Sequence, residues 1–404
     1  MTTLPKYRFP LILMISLAIT PVIAMYIPRF LAFWPLLIGL GSCCWLLLIK
    51  KELFCVSKIY YMVAGGISLL CMISTFWSIA PMQSMEDALK VTALLMFGGL
   101  LVSSFNALEF EDFKPYGWLL SVGLIIAALF CIFDLSTDLI IYRIIHSAGD
   151  SEVSTAVMNR GIICLVFAFF FTLPFVQGIE WSEKRKFALI AISAVVMVTM
   201  LSLCQSQSGQ VAFALGLLVF YLFPVHWKLS YALVGVVLLI TMLTTPLIVT
   251  FLYDRLIDQP QANAWLQDAF VGNRVEIWDF VIKYAMNNPL YGYGIEATNY
   301  VRHFEFDHLY NEKDTVLHPH NFSVQLWMEF GLLGVIFAAG VLNTLLYMVF
   351  KTEDQLVRKS LTALFIITTL IASMTYGMWQ SWWIGELILM VGIGTLLSNQ
   401  DALE

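Results

Sequence analysis

The chain reads as a series of long apolar stretches broken by short charged or turn-forming segments. Apolar runs fall near residues 9–26, 31–49, 59–79, 88–105, 116–135, 155–177, 187–204, 210–224, 229–251, 321–350, 360–377 and 382–398. A helix needs roughly 20 apolar residues to cross a bilayer, and it satisfies its own backbone hydrogen bonds in lipid. The pattern therefore predicts an all-α, polytopic membrane fold with about twelve transmembrane helices. The short alternating segments of a membrane β-barrel are absent. One segment breaks the rhythm: residues 254–320 are polar and predict a single large loop outside the bilayer.

Composition agrees with that reading. The chain is 60% hydrophobic and 12% charged, against ~45–50% and ~25% in soluble domains. Nothing in it resembles a separate soluble domain, an internal repeat or a nucleic-acid-binding surface, so residues 1–404 are expected to form one integral membrane domain. The cysteines Cys43, Cys44, Cys55, Cys71, Cys131, Cys164 and Cys204 lie in or beside apolar runs without C-x-x-C spacing, and read as small buried apolar side chains. Lys6 and Arg8 precede the first run without a small-residue cleavage site, so that run is expected to stay as the first helix.

The net charge of −6 says little until it is divided between the two membrane faces. With the N-terminus inside, the short segments of one face hold thirteen basic residues: Lys6, Arg8, Lys50, Lys51, Lys58, Lys114, Lys184, Arg185, Lys186, Lys228, Lys351, Arg358 and Lys359. Those of the other face hold only Arg29, Lys90 and Arg143. Basic residues in short loops stay in the cytoplasm, whereas long loops carry little weight. Both termini are expected in the cytoplasm and the long loop in the periplasm or exterior.

Polar chemistry is concentrated at that outer face. The long loop carries Asn273-Arg274 at the start of an amphipathic segment, with Val275, Trp278 and Ile282 on one side, as in an interfacial helix. The stretch Asn288-Pro289-Leu290-Tyr291-Gly292-Tyr293-Gly294 reads as a turn that lets backbone approach something bulky. The loop ends in His318-Pro319-His320-Asn321, from which Asn321, Gln325 and Glu329 run down one helix face. A carboxylate two turns into a span is costly and usually lines a cavity. Arg160, behind Asn159, lies about five residues into its span, roughly 7–8 Å deep, with Asp134 or Glu329 as candidate partners. The break Gln205-Ser206-Gln207-Ser208-Gly209-Gln210 reads as a turn or as a third polar feature.

Two arginines suit a diphosphate, because the planar guanidinium binds phosphate as a fork. A neutral histidine beside them is placed to take a proton from an attacking hydroxyl. The chemistry implied is transfer from a lipid diphosphate. The candidate catalytic residues are thus His320, His318 and Glu329, the diphosphate-binding residues Arg274 and Arg160, and the supporting residues Asn321, Gln325 and Asn159. The paired histidines have no companion ligands at metal spacing, so neither a metal nor another cofactor is expected.

At these residues the chain resembles the O-antigen ligase and polymerase superfamily of bacterial membrane glycosyltransferases. The resemblance spans roughly residues 155–350, which would form a catalytic region including loop 254–320. It is carried by Asn159-Arg160-Gly161, Asn273-Arg274 with Ile277-Trp278, Pro289-Leu290-Tyr291-Gly292-Tyr293-Gly294, His318-Pro319-His320-Asn321 and Gln325-Leu326-Trp327-Met328-Glu329-Phe330-Gly331. The Trp379-Gln380-Ser381-Trp382-Trp383 cluster also looks like some members. The resemblance implies metal-independent inverting transfer, with an undecaprenyl-diphosphate-linked glycan as donor and lipid A core or another glycan as acceptor in a membrane-lipid setting. It implies arginines on the diphosphate and a loop histidine near the acceptor, which at matching positions are Arg274 and His320, with Arg160 a further candidate. Many members carry a Ser-Arg pair where this chain reads Ser206-Gln207-Ser208. Ligase, polymerase and lipid-linked glycan flippase are the competing activities. The crowding of polar residues at one face, without a repeat, favours an enzyme over a transporter.

Overall fold

The computed structural model describes residues 5–52, 56–149, 153–257, 271–301 and 316–398. Among them there is no strand; the architecture is a bundle of α-helices. In chain order these are α1 (Pro5–Tyr26), α2 (Trp34–Cys44), α3 (Lys58–Ser74), α4 (Pro81–Asn106), α5 (Trp118–Ser136), α6 (Ile140–His146), α7 (Asn159–Gln177), α8 (Glu183–Leu203), α9 (Gln207–Leu222), α10 (Lys228–Ile257), α11 (Val271–Ala285), α12 (Ala297–Tyr300), α13 (Phe322–Lys351), α14 (Gln355–Ala372) and α15 (Ser381–Ser398).

Ten of the twelve expected spans correspond to helices long and apolar enough to cross a membrane. The other two are shorter apolar segments, Trp34–Lys50 and Gln207–Leu222. Phe76, Phe187, Leu222 and Leu247 are more than 70% exposed on the outside of the bundle. Such large apolar side chains on an outer surface are at home in lipid and not in water.

Helix α7 is the axis of the bundle. Every residue from Gly161 to Val176 except Ala168 is buried, in contact with α1, α5, α8, α9, α14 and α15. Its close approach to α1 depends on Gly161, where a Cβ would lie 2.7 Å from the Met25 Cα; small residues at crossings let membrane helices pack backbone to backbone. This contact fixes the first turn of α7, which carries Arg160.

The basic residues expected on one face do gather at one end of the bundle. There Lys50 pairs with Asp112 at 3.5 Å, Lys186 donates to the Gln177 carbonyl at 2.9 Å, and Arg358 donates to the Thr352 and Val225 carbonyls. The opposite end gathers the candidate site residues.

Two boundaries differ from the sequence reading in ways that matter. The span expected at 360–377 is α14, which starts earlier because the Asp354 carboxylate caps it by accepting from Val357 N at 2.8 Å. It ends at Ala372, and residues 373–380 form an outer turn instead of membrane helix. The break expected at 205–210 is shorter, residues 204–206, with Gln207 already opening α9; the Gln210 amide donates to the Leu201 and Cys204 carbonyls at the end of α8, and Thr155 donates to Gln205 at 3.0 Å.

Candidate active site

The site begins with a broken helix. Gly331 takes φ 58° and ψ −152° inside α13, a conformation open to glycine and costly for other residues. The break frees carbonyls that a continuous helix would use, and the loop 288–294 occupies them. Tyr293 N donates to Met328 O at 2.9 Å and Gly294 N to Glu329 O at 2.8 Å, while Leu332 N and Leu333 N reach back to Pro289 O and Leu290 O. A Cβ on Gly292 would stand 2.5 Å from the Glu329 carbonyl carbon. The bulky object that the Tyr-Gly-Tyr-Gly stretch approaches is thus the backbone of α13.

The polar stripe of α13 is spent on architecture. Asn321 caps the helix, its side-chain oxygen accepting from Ser323 N at 3.0 Å and Val324 N at 3.2 Å. Glu329 is fully buried, with one oxygen accepting from Gln325 Nε2 at 2.7 Å and the other from Trp379 Nε1 at 2.5 Å. Gln325 Oε1 accepts from Met378 N at 2.9 Å. Together Gln325 and Glu329 pin the 373–380 turn onto the first turns of α13. Neither expected partner pairs with Arg160. Asp134 accepts from Tyr26 OH, Ile141 N and Tyr142 N, and among the described residues Arg160 makes no ion pair.

That turn presents the histidines. His320 Nδ1 lies 2.7 Å from Thr375 O; a carbonyl only accepts, so Nδ1 carries the proton and Nε2 keeps a free lone pair. His318 is held differently. The Trp382 indole N–H donates to Gln380 Oε1 at 2.8 Å, which turns the Gln380 amide nitrogen toward His318 Nε2 at 3.2 Å. That nitrogen must accept, so its lone pair is already engaged. The two rings lie 4.3 Å apart, centroid to centroid. His320 has φ +55°, a strained conformation of the kind that collects at functional sites. The segment is held from the other side by Trp278, whose indole N–H donates to Pro319 O at 2.7 Å.

Both rings are held neutral. Burial lowers the His318 pKa to about 4, assisted by the neighbouring His320 and by the charge of Arg160. Burial lowers that of His320 as well, opposed by its bond to Thr375 and assisted by Arg274. Arg274, on the first turn of α11, is itself depressed by burial. Arg160 lies across the Trp382 ring at 5.4 Å, with Asn159 beside it as the first residue of α7. The structure therefore brings Arg160, Arg274, His318 and His320 to one place. Helix α11 does not lie as a free interfacial helix: Val275 and Ile282 are buried with Glu276 and Asp279, packed against α10 and α13.

Sequence reasoning missed Thr375 and Tyr376, and marked Gln380 only as part of the Trp379–Trp383 cluster. Tyr376 packs edge-on against Trp382 at 4.6 Å, and both arginines act on its phenol. Thr375 and Tyr376 fall inside the span expected at 360–377; the one usable signal is Gly377 followed by polar Gln380 and Ser381. Gly377 leaves room for His318, whose ring would lie 2.8 Å from a Cβ there. Among the described residues, no three His, Cys, Asp or Glu side chains are grouped to hold a metal ion. Arg302, Lys313 and Gln267 of the long loop, and Cys55, lie outside the described residues.

Comparison with known proteins gives the arrangement a family. Residues 192–339 match the model of a family described as O-antigen ligase. This segment is similar to the O-antigen ligase family. It contains Arg274, His318 and His320 and lies within the region 155–350 marked out by the sequence motifs. The ligase-like chain is also 24% identical over 351 residues to a Rickettsia conorii protein named "Putative polysaccharide ligase", covering 84% of this chain and 80% of that protein. Proteins of the same name from Rickettsia bellii, over 370 residues, and Rickettsia felis, over 341, are each 24% identical. These likenesses support a ligase- or polymerase-type activity, and the long apolar helices a membrane-embedded chain.

Proposed function

We propose that this protein transfers a glycan from an undecaprenyl-diphosphate carrier to lipid A core, at the periplasmic side of the bacterial inner membrane. The observation that carries the reading is the convergence of Arg160 and Arg274 on a turn that holds His320 neutral with Nε2 free. In the transfer, an acceptor hydroxyl attacks the anomeric carbon of the donor sugar and its proton passes to His320 Nε2. The bond between the anomeric carbon and the diphosphate oxygen breaks, and the electron pair leaves with the diphosphate. The two guanidinium groups stabilise the charge that develops there. The products are the joined glycan, undecaprenyl diphosphate and one proton. No step calls for a metal, and attack opposite the leaving group inverts the anomeric centre.

The thirteen-to-three division of basic residues supports placing this end of the bundle in the periplasm. A polymerase would use the same donor but must seat two lipid diphosphates. Only one cationic cluster is found among the described residues, which favours the ligase. Gel analysis of lipopolysaccharide from a deletion strain tests the choice. The ligase reading expects core without attached polymer and long polymer left on the carrier. Core bearing one repeat unit would instead identify a polymerase, and unaltered lipopolysaccharide would point to a ligase for some other glycan or a protein acceptor.

A further inference from the structure

The transfer just described leaves Tyr376 without a task, yet the molecule holds this side chain with unusual care. Its ring is fixed edge-on by Trp382 at 4.6 Å and at a tilt by Trp383 at 5.7 Å, and it is only 9% exposed. Its hydroxyl is buried and has no hydrogen-bond partner among the described residues. A buried hydroxyl without a partner is costly and is usually satisfied by something.

The surroundings indicate what that partner is. Arg160 lies on the same Trp382 ring at 5.4 Å. The residue before Tyr376, Thr375, holds His320 through its carbonyl. Arg160 and Arg274 both act on the phenol as positive charges, while burial keeps it protonated far above physiological pH. An O–H donor that stays neutral, packed on the same Trp382 ring as Arg160 and within the field of Arg274, calls for an anionic acceptor. The Glu329 carboxylate is not available for this, being committed to Gln325 and Trp379.

We propose that Tyr376 is a third donor to the anion held by Arg160 and Arg274, its hydroxyl bonding a phosphate oxygen of a prenyl-linked diphosphate. This rests on the reading of the site as a diphosphate site. The rigid phenol adds direction to the two guanidinium forks, because its ring cannot swing while it is wedged against the tryptophans. It also places the anion within one residue of the turn that carries the base, coupling diphosphate binding to His320.

Wild-type protein and Tyr376→Phe in nanodiscs are titrated with farnesyl diphosphate, inorganic pyrophosphate and farnesol. In the variant, the Kd for both diphosphates should rise roughly ten-fold or more, as expected for a hydrogen bond to a charged group. Farnesol binding should not change. Ligand-free thermal stability should be equal or higher, since the substitution removes an unpartnered hydroxyl; a purely structural tyrosine would lose stability instead. As a second measurement, 3-fluorotyrosine at position 376 should show a 19F shift on addition of pyrophosphate. Wild-type affinity in Tyr376→Phe, or an unmoved 19F signal, overturns the role of the hydroxyl and leaves the diphosphate site standing. Failure of the wild-type protein to bind either diphosphate overturns both.

Discussion

His318 and His320 are separated by one proline, and their partners give them opposite states. Gln380 occupies the Nε2 lone pair of His318, whereas Thr375 holds the Nδ1 proton of His320 and leaves its Nε2 open. Only His320 is ready to accept a proton. The folded pKa of His320 is depressed, so the neutral base persists as pH falls below the ordinary histidine value of about 6.5. The acid limb of kcat/KM should accordingly lie below pH 6.5, as measured by initial rates across pH. An acid limb above 6.5 would mean that a different group titrates. His320→Gln keeps a donor for Thr375 but has no basic nitrogen, and should lose roughly 10²–10⁴ in kcat. His318→Gln should lose less.

The charged members of the site were legible at this scale in the sequence, because an arginine or a histidine pair at the edge of an apolar run has few other reasons to be there. Asn321, Gln325 and Glu329 were legible as a stripe but not as a scaffold. Whether a buried carboxylate faces a substrate or an indole N–H depends on a turn some fifty residues away, and no local pattern reports that. Tyr376 was hidden for the opposite reason: in an apolar run, a tyrosine reads as membrane helix.

At the scale of elements, the deciding contact is the interlock between loop 288–294 and the break in α13. The glycines stood out in the sequence as points of close approach, but the surface they approach was not visible, because a helix with an internal glycine reads as continuous. Gly292 has φ +64° and faces the Glu329–Phe330 backbone, so no side-chain adjustment can make room for a methyl group. Gly292→Ala should cost about 1–3 kcal/mol in backbone conformation alone, with more from the clash. It should lower the thermal midpoint in detergent and reduce transfer. Gly65→Ala, where a Cβ meets nothing within 4 Å, serves as the control and should leave both unchanged. Equal behaviour of the two variants would contradict the interlock.

For the whole molecule, a bundle with basic residues at one end and a cationic site at the other follows from hydropathy and charge placement, both of which operate over lengths that the sequence displays directly. Helix count was less legible, since Trp34–Lys50 and Gln207–Leu222 are apolar but short. The central helix α7 carries Arg160 at its outer end, and the outer turn between α14 and α15 carries Thr375 and Tyr376. In the proposed site a single anion would touch elements distributed from residue 160 to residue 376. The most direct test is transfer by purified protein in proteoliposomes, supplied with an undecaprenyl-diphosphate-linked glycan and lipid A core. Wild-type protein should form the joined glycan and release undecaprenyl diphosphate in equal amounts. Arg274→Lys should be severely impaired, because an ammonium cannot replace the fork. Transfer by Arg274→Lys and by His320→Gln at wild-type rates would contradict the account.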